Sequence, residues 1–198
     1  MPEQVPLFLA PMSGVTDVAY RLLAREAGAD FTSTEFTAAS GLSRQDAKSW
    51  AKVETHARES PFIPLFFGGI EDEMVETARL LSKNADVIDL NFGCPAPKVT
   101  KTCAGAAMMA EPDNLVSMVE RCMGASTVPI SVKMRLGTSQ NDLTVLEIAE
   151  RCAELGVLRI CVHGRTLAQK YRGVAAVSYT HLRAHETRHD LVCRLLLE

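Results

Sequence analysis

The sequence lacks the features that would place it in a membrane or among secreted, disulfide-stabilised proteins. No apolar run approaches the roughly 20 residues that a membrane-spanning helix needs, and the amino-terminal MPEQVPLF has neither part of a signal peptide. The six cysteines form no CxxC pair, and 198 residues with 47% hydrophobic content can bury a core without disulfides. We therefore expect a globular, cytoplasmic protein with separate, reduced thiols and no membrane partner.

The chain also lacks an excess of charge of either sign. Its 21 basic and 24 acidic residues give a formal net charge of −3. A balance so close to neutral provides no overall attraction to nucleic acid or to an anionic membrane surface. Any nucleic-acid partner would have to bind a local basic patch.

Apolar segments of strand length alternate with amphipathic segments of helix length along most of the chain. Strands are predicted at residues 7–12, 31–36, 62–67, 87–92, 129–135 and 159–163. Helices are predicted at residues 18–27, 41–50, 71–83, 112–123 and 143–155. Gly93 should end the fourth strand, and Pro95 and Pro97 should exclude a helix directly after it. Such alternation predicts a parallel sheet with right-handed crossovers.

Two parallel architectures fit this alternation. A doubly wound nucleotide-binding sheet would carry a GxGxxG turn after its first strand, whereas the turn here reads PMSGVTD at residues 11–17. Polar side chains instead recur near the ends of strands, as in a (β/α)₈ barrel. They are Glu35, Asn91, Cys94, Lys133, Arg135, His163 and Arg165. The pattern favours an α/β fold that is an incomplete (β/α)₈ TIM barrel with about six βα units.

Cys94 follows the fourth predicted strand, with Lys98 and Lys101 close behind it. Catalytic groups of α/β enzymes collect at this edge of the sheet, where a thiol can serve as acid, nucleophile or ligand. A free cysteine is more often a small buried hydrophobic residue. The residues alone leave both interpretations open.

Four motifs, in this order, connect the chain to a known family. They are APMSGVTD at residues 10–17, NFGCPAPKV at 91–99, VKMRLG at 132–137 and VHGRT at 162–166. Together they resemble the tRNA-dihydrouridine synthases. The resemblance implies a partial FMN-binding TIM-barrel catalytic domain over residues 1–176. It further implies reduction of uridine to 5,6-dihydrouridine in tRNA, with NADPH or NADH as the reductant.

The resemblance also assigns roles to individual residues. Cys94 would be the general acid that protonates C5 of uracil while hydride from the flavin arrives at C6. Asn91, Lys98 and Arg135 would contact the substrate, Asn91 through an amide that suits the edge of the base. The flavin-binding residues would be Pro11, Met12, Lys133, His163 and Arg165.

Three of these residues could have a structural role instead. Asn91 could cap the end of its strand, Lys133 could form an ion pair with Glu35, and a histidine at a strand end, here His163, is often structural. The chain also departs from the family at Leu65, where many relatives carry a glutamine that hydrogen-bonds the flavin. We expect that one flavin contact is lost there or is supplied by a neighbour.

Basic residues cluster in or after the fourth, fifth and sixth predicted strands. We expect them to gather at the carboxyl-terminal rim of the barrel and to form an anion-attracting face. They are Lys98, Lys101, Lys133, Arg135, Arg165, Lys170 and Arg172.

The resemblance ends at about residue 176. Residues 177–198 are expected to form a tail foreign to the family, either helical or disordered, in place of two barrel strands and a C-terminal RNA-binding domain. The loops after strands seven and eight usually hold the flavin phosphate in such barrels, so we expect weak FMN binding and poor activity. The alternative is an inactive partial barrel that binds RNA or a second copy of itself through its open sheet edges.

The tail contains HETRH at residues 185–189, which matches the HExxH motif of zinc peptidases. Val192 and Leu195 occupy the places of the extended motif, and a lone match without its structural context is weak. We therefore expect no metal site and favour an exposed charged helix as the ordinary explanation of this segment.

Overall fold

The computed structural model describes residues 6–176, in which parallel strands alternate with helices. The strands are β1 (Phe8–Leu9), β2 (Phe31–Thr32), β3 (Thr37–Ala38), β4 (Leu65–Phe67), β5 (Ile88–Phe92), β6 (Ile130–Met134) and β7 (Arg159–Val162). The helices are α1 (Val18–Glu26), α2 (Ala39–Ser43), α3 (Ala47–Lys52), α4 (Glu71–Leu81), α5 (Pro97–Thr100), a 3₁₀ helix (Gly105–Ala110), α6 (Pro112–Ala125) and α7 (Val145–Leu155).

The strands pair in chain order. β1 pairs with β2, and β3 to β7 form one five-stranded sheet in which each strand lies beside its successor, all parallel. Sequential parallel order with intervening helices is the arrangement expected of an incomplete (β/α)₈ barrel. No helix among residues 6–176 has both the length and the apolar character needed to span a bilayer.

Strands β5, β6 and β7 alternate between two chemically different faces. Their apolar side chains, such as Leu90 on β5 and Val132 on β6, belong to the main core, which also contains buried residues of α4, α6 and α7. The intervening positions are mostly polar, and the parallel register aligns them across the sheet. The outward face therefore packs on the helices, and the inward face carries the candidate site.

The second predicted strand is divided in two. Thr34 lies between β2 and β3, and its Oγ1 accepts a hydrogen bond from the Leu65 backbone N–H at 3.0 Å. The same hydroxyl donates to the Glu35 carbonyl at 3.0 Å. Side-chain bonds thus replace part of the backbone ladder, which explains the interruption of an apolar, β-branched segment.

The helix predicted at residues 41–50 is likewise two helices, α2 and α3. Gln45 between them has a left-handed φ of 57°, which a continuous right-handed helix excludes. Asp46 then caps α3 by accepting a hydrogen bond from the Ser49 N–H at 2.9 Å.

The expectation that Pro97 excludes a helix is wrong. Pro97 begins the short helix α5. A proline is tolerated at the first helical position because its missing N–H would have no partner inside the helix there. The other predicted helices agree with the structure within a few residues, and Gly156, with a φ of 89°, ends α7 as expected.

A buried ion pair fixes α1 to the segment before β4. The Arg21 and Glu59 side chains are 0% and 1% exposed, with 2.5 Å between Arg21 Nε and Glu59 Oε1. Arg21 also donates to the carbonyls of Thr16 and Glu54 at 2.8 and 2.7 Å. These bonds hold the turn after β1 against the loop before β4.

Replacing Glu59 by alanine should destabilise the fold strongly, because it leaves the Arg21 charge buried without its partner. We expect a loss of about 3–5 kcal/mol in the free energy of unfolding. Glu26→Ala is the matched control: the Glu26–Arg58 pair is 60% and 66% exposed, and such a pair contributes about 0–1 kcal/mol. Urea unfolding followed by circular dichroism measures both, and equal losses would contradict the assignment.

Candidate active site

The inward face of β5–β7 begins with a row of three hydrogen-bonded polar side chains. Asp89 accepts from the Ser131 hydroxyl at 2.9 Å and from Arg159 Nη2 at 3.2 Å. The Arg159 guanidinium also lies 4.6 Å from the centroid of the Phe8 ring, which stacks on Phe31. This row therefore places the Asp89–Arg159 ion pair and two aromatic rings at the end of the site nearest the amino ends of the strands.

The next row toward the carboxyl ends aligns Asn91, Lys133 and Cys161 on three neighbouring strands. Lys133 is partly exposed and lines a small cavity together with Pro11 from the turn after β1. The structure therefore brings two of the predicted flavin-binding residues together. Met12, the next residue along, holds its turn through a hydrogen bond from its N–H to Thr16 Oγ1 at 3.1 Å.

The Asn91 side chain caps the end of its own strand. Its Oδ1 accepts a hydrogen bond from the Gly93 N–H at 2.9 Å, and the residue is 6% exposed. The capping role considered for Asn91 is therefore present in the molecule. Binding of substrate through its remaining amino group stays a prediction.

Cys94 lies in an apolar cluster just beyond β5. The residue is 6% exposed and packs in a cluster with Val99, Ala104, Phe36 and Phe67. Burial raises the pKa of the thiol, against smaller opposing effects of a backbone hydrogen bond and nearby positive charges. At neutral pH, Cys94 is therefore a protonated thiol, which can donate a proton but is a poor nucleophile.

Gly105 closes the loop that carries this thiol. It has a left-handed φ of 59°, and a Cβ at this position would lie 2.7 Å from the Cys94 carbonyl oxygen. The same oxygen accepts a hydrogen bond from the Ala106 N–H at 3.0 Å. Only glycine satisfies both the conformation and the close approach. This role of Gly105 was not predicted, although the AG pair after the proline-containing loop was a signal for it in the sequence.

His163, directly after β7, has a ring nitrogen without a hydrogen-bond partner in the part of the chain that the structure describes. Its Nδ1 is buried and forms no hydrogen bond within residues 6–176. Burial, together with the charges of Arg135, Lys133 and Arg165, lowers the pKa of His163 to about 4. The imidazole is therefore neutral at physiological pH. A buried polar atom without a partner is rare in folded proteins, and the flavin-binding role of His163 stays a prediction.

Arg135 ties the loops after three strands together. It is 2% exposed, and its Nε donates to the Gly93 carbonyl at 2.7 Å. Its Nη1 donates to the carbonyls of Thr166 and Lys170 at 3.1 and 2.9 Å. Arg135 follows β6 at the carboxyl-terminal edge, as expected, but its side chain is buried there because it satisfies these carbonyls. Direct contact with substrate stays a prediction.

The remaining basic residues lie where they were expected. Lys133 lies on β6 itself, and the other five follow the carboxyl ends of β5 and β7, which meet at one edge of the sheet. Four of them are exposed, and we call these four the basic rim; they are Lys98, Lys101, Lys170 and Arg172. Arg165 is partly exposed and donates from Nη2 to the Gly173 carbonyl at 3.1 Å.

Glu35 does not pair with Lys133. Its carboxylate accepts from the Gly14 N–H at 2.6 Å, and the ion pairs among residues 6–176 do not include one between Glu35 and Lys133. Leu65, the departure from the family pattern, is fully buried in register with Asp89.

Metal-binding groups are absent from the described part of the chain. No group of three or more His, Cys, Asp or Glu side chains there could hold a metal ion. The HETRH motif lies outside the described residues, so its assignment stays a prediction.

The sequence matches a known protein family over most of its length. Residues 8–185 match the family model described as "Dihydrouridine synthase (Dus)". The chain belongs to the dihydrouridine synthase family. The predicted family and the incomplete (β/α)₈ barrel are thereby confirmed. The boundary expected at residue 176 stays a prediction.

Curated relatives that are named tRNA-dihydrouridine synthases come from several bacteria. A "Probable tRNA-dihydrouridine synthase" of Rhizobium leguminosarum bv. phaseoli is 38% identical over 168 residues, which cover 84% of this chain and 53% of the relative. One from Rhodobacter capsulatus is 36% identical over 173 residues, covering 86% and 53%. The "tRNA-dihydrouridine synthase B" of Pasteurella multocida is 31% identical over 179 residues, covering 90% and 53%. The chain thus spans about half the length of these relatives.

The raised pKa of Cys94 predicts slow alkylation by iodoacetamide, because the thiolate is the reactive form. Cys103, which is exposed, is the matched control in the same protein. At pH 8 we expect Cys94 to react at least about ten times more slowly than Cys103. Mass spectrometry of the two peptides measures the rates, and similar rates would contradict a buried, protonated Cys94.

The lowered pKa of His163 predicts a pH-dependent stability. Between pH 6.5 and pH 4 the unfolded chain binds a proton that the folded chain does not, so the stabilising contribution is complete above pH 6.5 and is lost as the pH falls toward 4. His163→Gln should remove this component of the slope, whereas replacement of the exposed His56 should leave it. Unfolding midpoints measured across this range test the prediction, which an unchanged slope in His163→Gln would disprove.

Proposed function

We propose that this chain forms the flavin-binding part of an enzyme that reduces uridine to 5,6-dihydrouridine in tRNA, with NADPH or NADH as the reductant. The observation that carries the proposal is the buried, protonated Cys94 at the same edge of the barrel as Lys133 and His163. Family membership supports the reaction class. A tRNA substrate also implies that the enzyme is located in the cytoplasm.

Cys94 is the proton donor in this proposal. Reduction of the C5–C6 double bond of uracil adds hydride at C6, and the electrons move toward the carbonyl conjugated with C5. C5 then needs a proton from a group within hydrogen-bond reach. A thiol that burial keeps protonated at neutral pH suits this task, and its thiolate would be reprotonated from solvent in each cycle.

The side chains on the inner face of the site suit the ring of FMN. The Nδ1 of His163, which has no partner among residues 6–176, can bond a polar atom of a flat heteroaromatic ring, and the partly exposed Lys133 can stabilise negative charge on that ring. Pro11 and Met12 would supply the wall after β1, and Arg165 a cation from the β7 loop. When bound, FMN supplies the hydride that reaches C6.

Asn91 would orient the uracil. Its Oδ1 already accepts from Gly93, and its amino group would donate to a carbonyl of the base. Lys98 and the rest of the basic rim would hold the RNA backbone, since phosphate contacts position a nucleic acid without reading its sequence. Arg135 would contribute to substrate binding by fixing the loops after β5 and β7.

The central test replaces Cys94 by alanine in a chimera in which residues 8–176 substitute for the matching segment of the Rhizobium relative. Loss of the proton donor should lower the rate of uridine reduction by about 10²–10⁴-fold while bound flavin is retained. Mass spectrometry of nucleosides from digested tRNA measures dihydrouridine, and absorbance near the flavin bands measures the cofactor.

Cys103→Ala in the same chimera is the control, since Cys103 is exposed and should matter little. Near-normal turnover of Cys94→Ala would refute the proton-donor role. Absence of both flavin and turnover in the unmodified chimera would favour an inactive, RNA-binding partial barrel. Weak FMN binding by the chain alone stays a separate prediction, which titration with the flavin checks.

A further inference from the structure

The loop after β7 carries an exposed aromatic side chain between two basic residues, close to the candidate site. Tyr171 is 68% exposed, and its sequence neighbours Lys170 and Arg172 are exposed as well. The ring does not belong to the apolar core clusters of the described residues. It lies instead with its centroid 5.8 Å from the guanidinium carbon of Arg135. An accessible ring surrounded by positive charge is the composition of sites that bind single-stranded nucleic acid.

The support beneath Tyr171 is connected to the Cys94 loop. Arg135 donates to the carbonyl of Gly93, the residue directly before Cys94, at 2.7 Å. The same guanidinium donates to the carbonyl of Lys170, directly before Tyr171, at 2.9 Å. One buried side chain therefore fixes the position of the aromatic residue relative to the thiol.

Backbone hydrogen bonds hold the rest of the β7 loop. The N–H groups of Leu167 and Ala168 donate to the carbonyls of Gly137 and Thr138 at 3.0 and 2.9 Å. The Ala176 N–H closes the loop on the Gly164 carbonyl at 2.7 Å. A ligand that stacks on Tyr171 would not have to order this backbone first, which lowers the entropic cost of binding.

We propose that Tyr171 is a stacking platform for an unpaired RNA base that neighbours the uridine entering the Cys94 site. This inference rests on the proposed function and adds a contact outside the pocket that receives the uracil. Both faces of a base in a duplex are covered by its neighbours, so the platform requires single-stranded RNA. The basic rim, through Lys170 and Arg172, would bind the phosphates on either side of the stacked base.

The first experiment measures contact without catalysis. In the chain as it exists, Tyr171→Trp places a fluorophore at the platform, and a ten-nucleotide single-stranded RNA of mixed sequence is the probe. Tyr20→Trp is the matched control, because Tyr20 is also exposed, at 41%, but lies on α1 outside the β7 loop. Trp50 is common to both variants, so its fluorescence is subtracted.

We expect saturable quenching by RNA in Tyr171→Trp and little change in Tyr20→Trp. Inorganic polyphosphate, which carries the charge but no bases, should bind without quenching. Any of three results would overturn the proposed stacking platform. They are equal quenching by polyphosphate, equal quenching in the two variants, and a preference for double-stranded RNA of the same length.

The second experiment measures its contribution to affinity. Tyr171→Ala should weaken binding of the same RNA by about 5- to 150-fold, the usual effect of losing one base–aromatic stack. Tyr171→Phe keeps the ring and should bind within about threefold of the parent. Thermal midpoints should stay unchanged, because the side chain is exposed. Unaltered affinity of Tyr171→Ala overturns the inference, as does an equal loss in Tyr171→Phe.

These readouts separate the inference from the catalytic proposal. Loss of RNA affinity in Tyr171→Ala, combined with normal turnover in Cys94→Ala, would leave the platform standing and refute the proton donor. Severe loss of turnover in Cys94→Ala, combined with unchanged RNA affinity in Tyr171→Ala, would do the reverse.

Discussion

The two-residue alternation of β5, β6 and β7 is the constraint on which the rest of the structure depends. Leu90, Val132 and Ile160 face the helices, while Asp89, Lys133 and Cys161 occupy intervening positions. A slip of one residue in any strand would expose its apolar set and bury charges against the helices. Packing of the outer layer therefore also sets the register of the polar rows, so core stability and site geometry have the same physical origin.

Desolvation has opposite chemical results at two positions on the same edge of the sheet. It favours the neutral form of every ionisable group, which is the acid form of a thiol and the base form of an imidazole. Cys94 consequently keeps its proton and His163 loses its own. Burial alone thus gives a protonated thiol at one position and a neutral imidazole at the other, and neither state requires an ion pair between the two residues.

The sequence predicted most of the elements because their signals are local. Apolar, β-branched segments and helix-ending glycines, such as Gly156, depend on few distant contacts. The misplaced boundaries arose where a side chain competes with the backbone, as at Thr34 and Asp46. Arg135 could not be placed from its position in the chain, because its burial depends on three carbonyls, each at least 31 residues away in sequence, that folding brings together. The position of Cys94 was predictable from a strand end followed by Gly and Pro, but the apolar cluster that controls its protonation was not, since Phe36 and Phe67 come from other βα units.

Arg135 has a consequence for how such a barrel can evolve. Loops of (β/α)₈ enzymes are commonly treated as parts that can be exchanged one at a time, each on its own strand. Here a single guanidinium supplies the donors for carbonyls in the loops after β5 and β7, while belonging to the segment after β6. A graft that replaced Arg135 would leave buried acceptors unpaired in the other two loops, and a graft that moved those carbonyls would leave buried donors of Arg135 unpaired. The three loops must therefore be inherited as one module, and new specificities would have to arise by changing exposed side chains on an unaltered backbone.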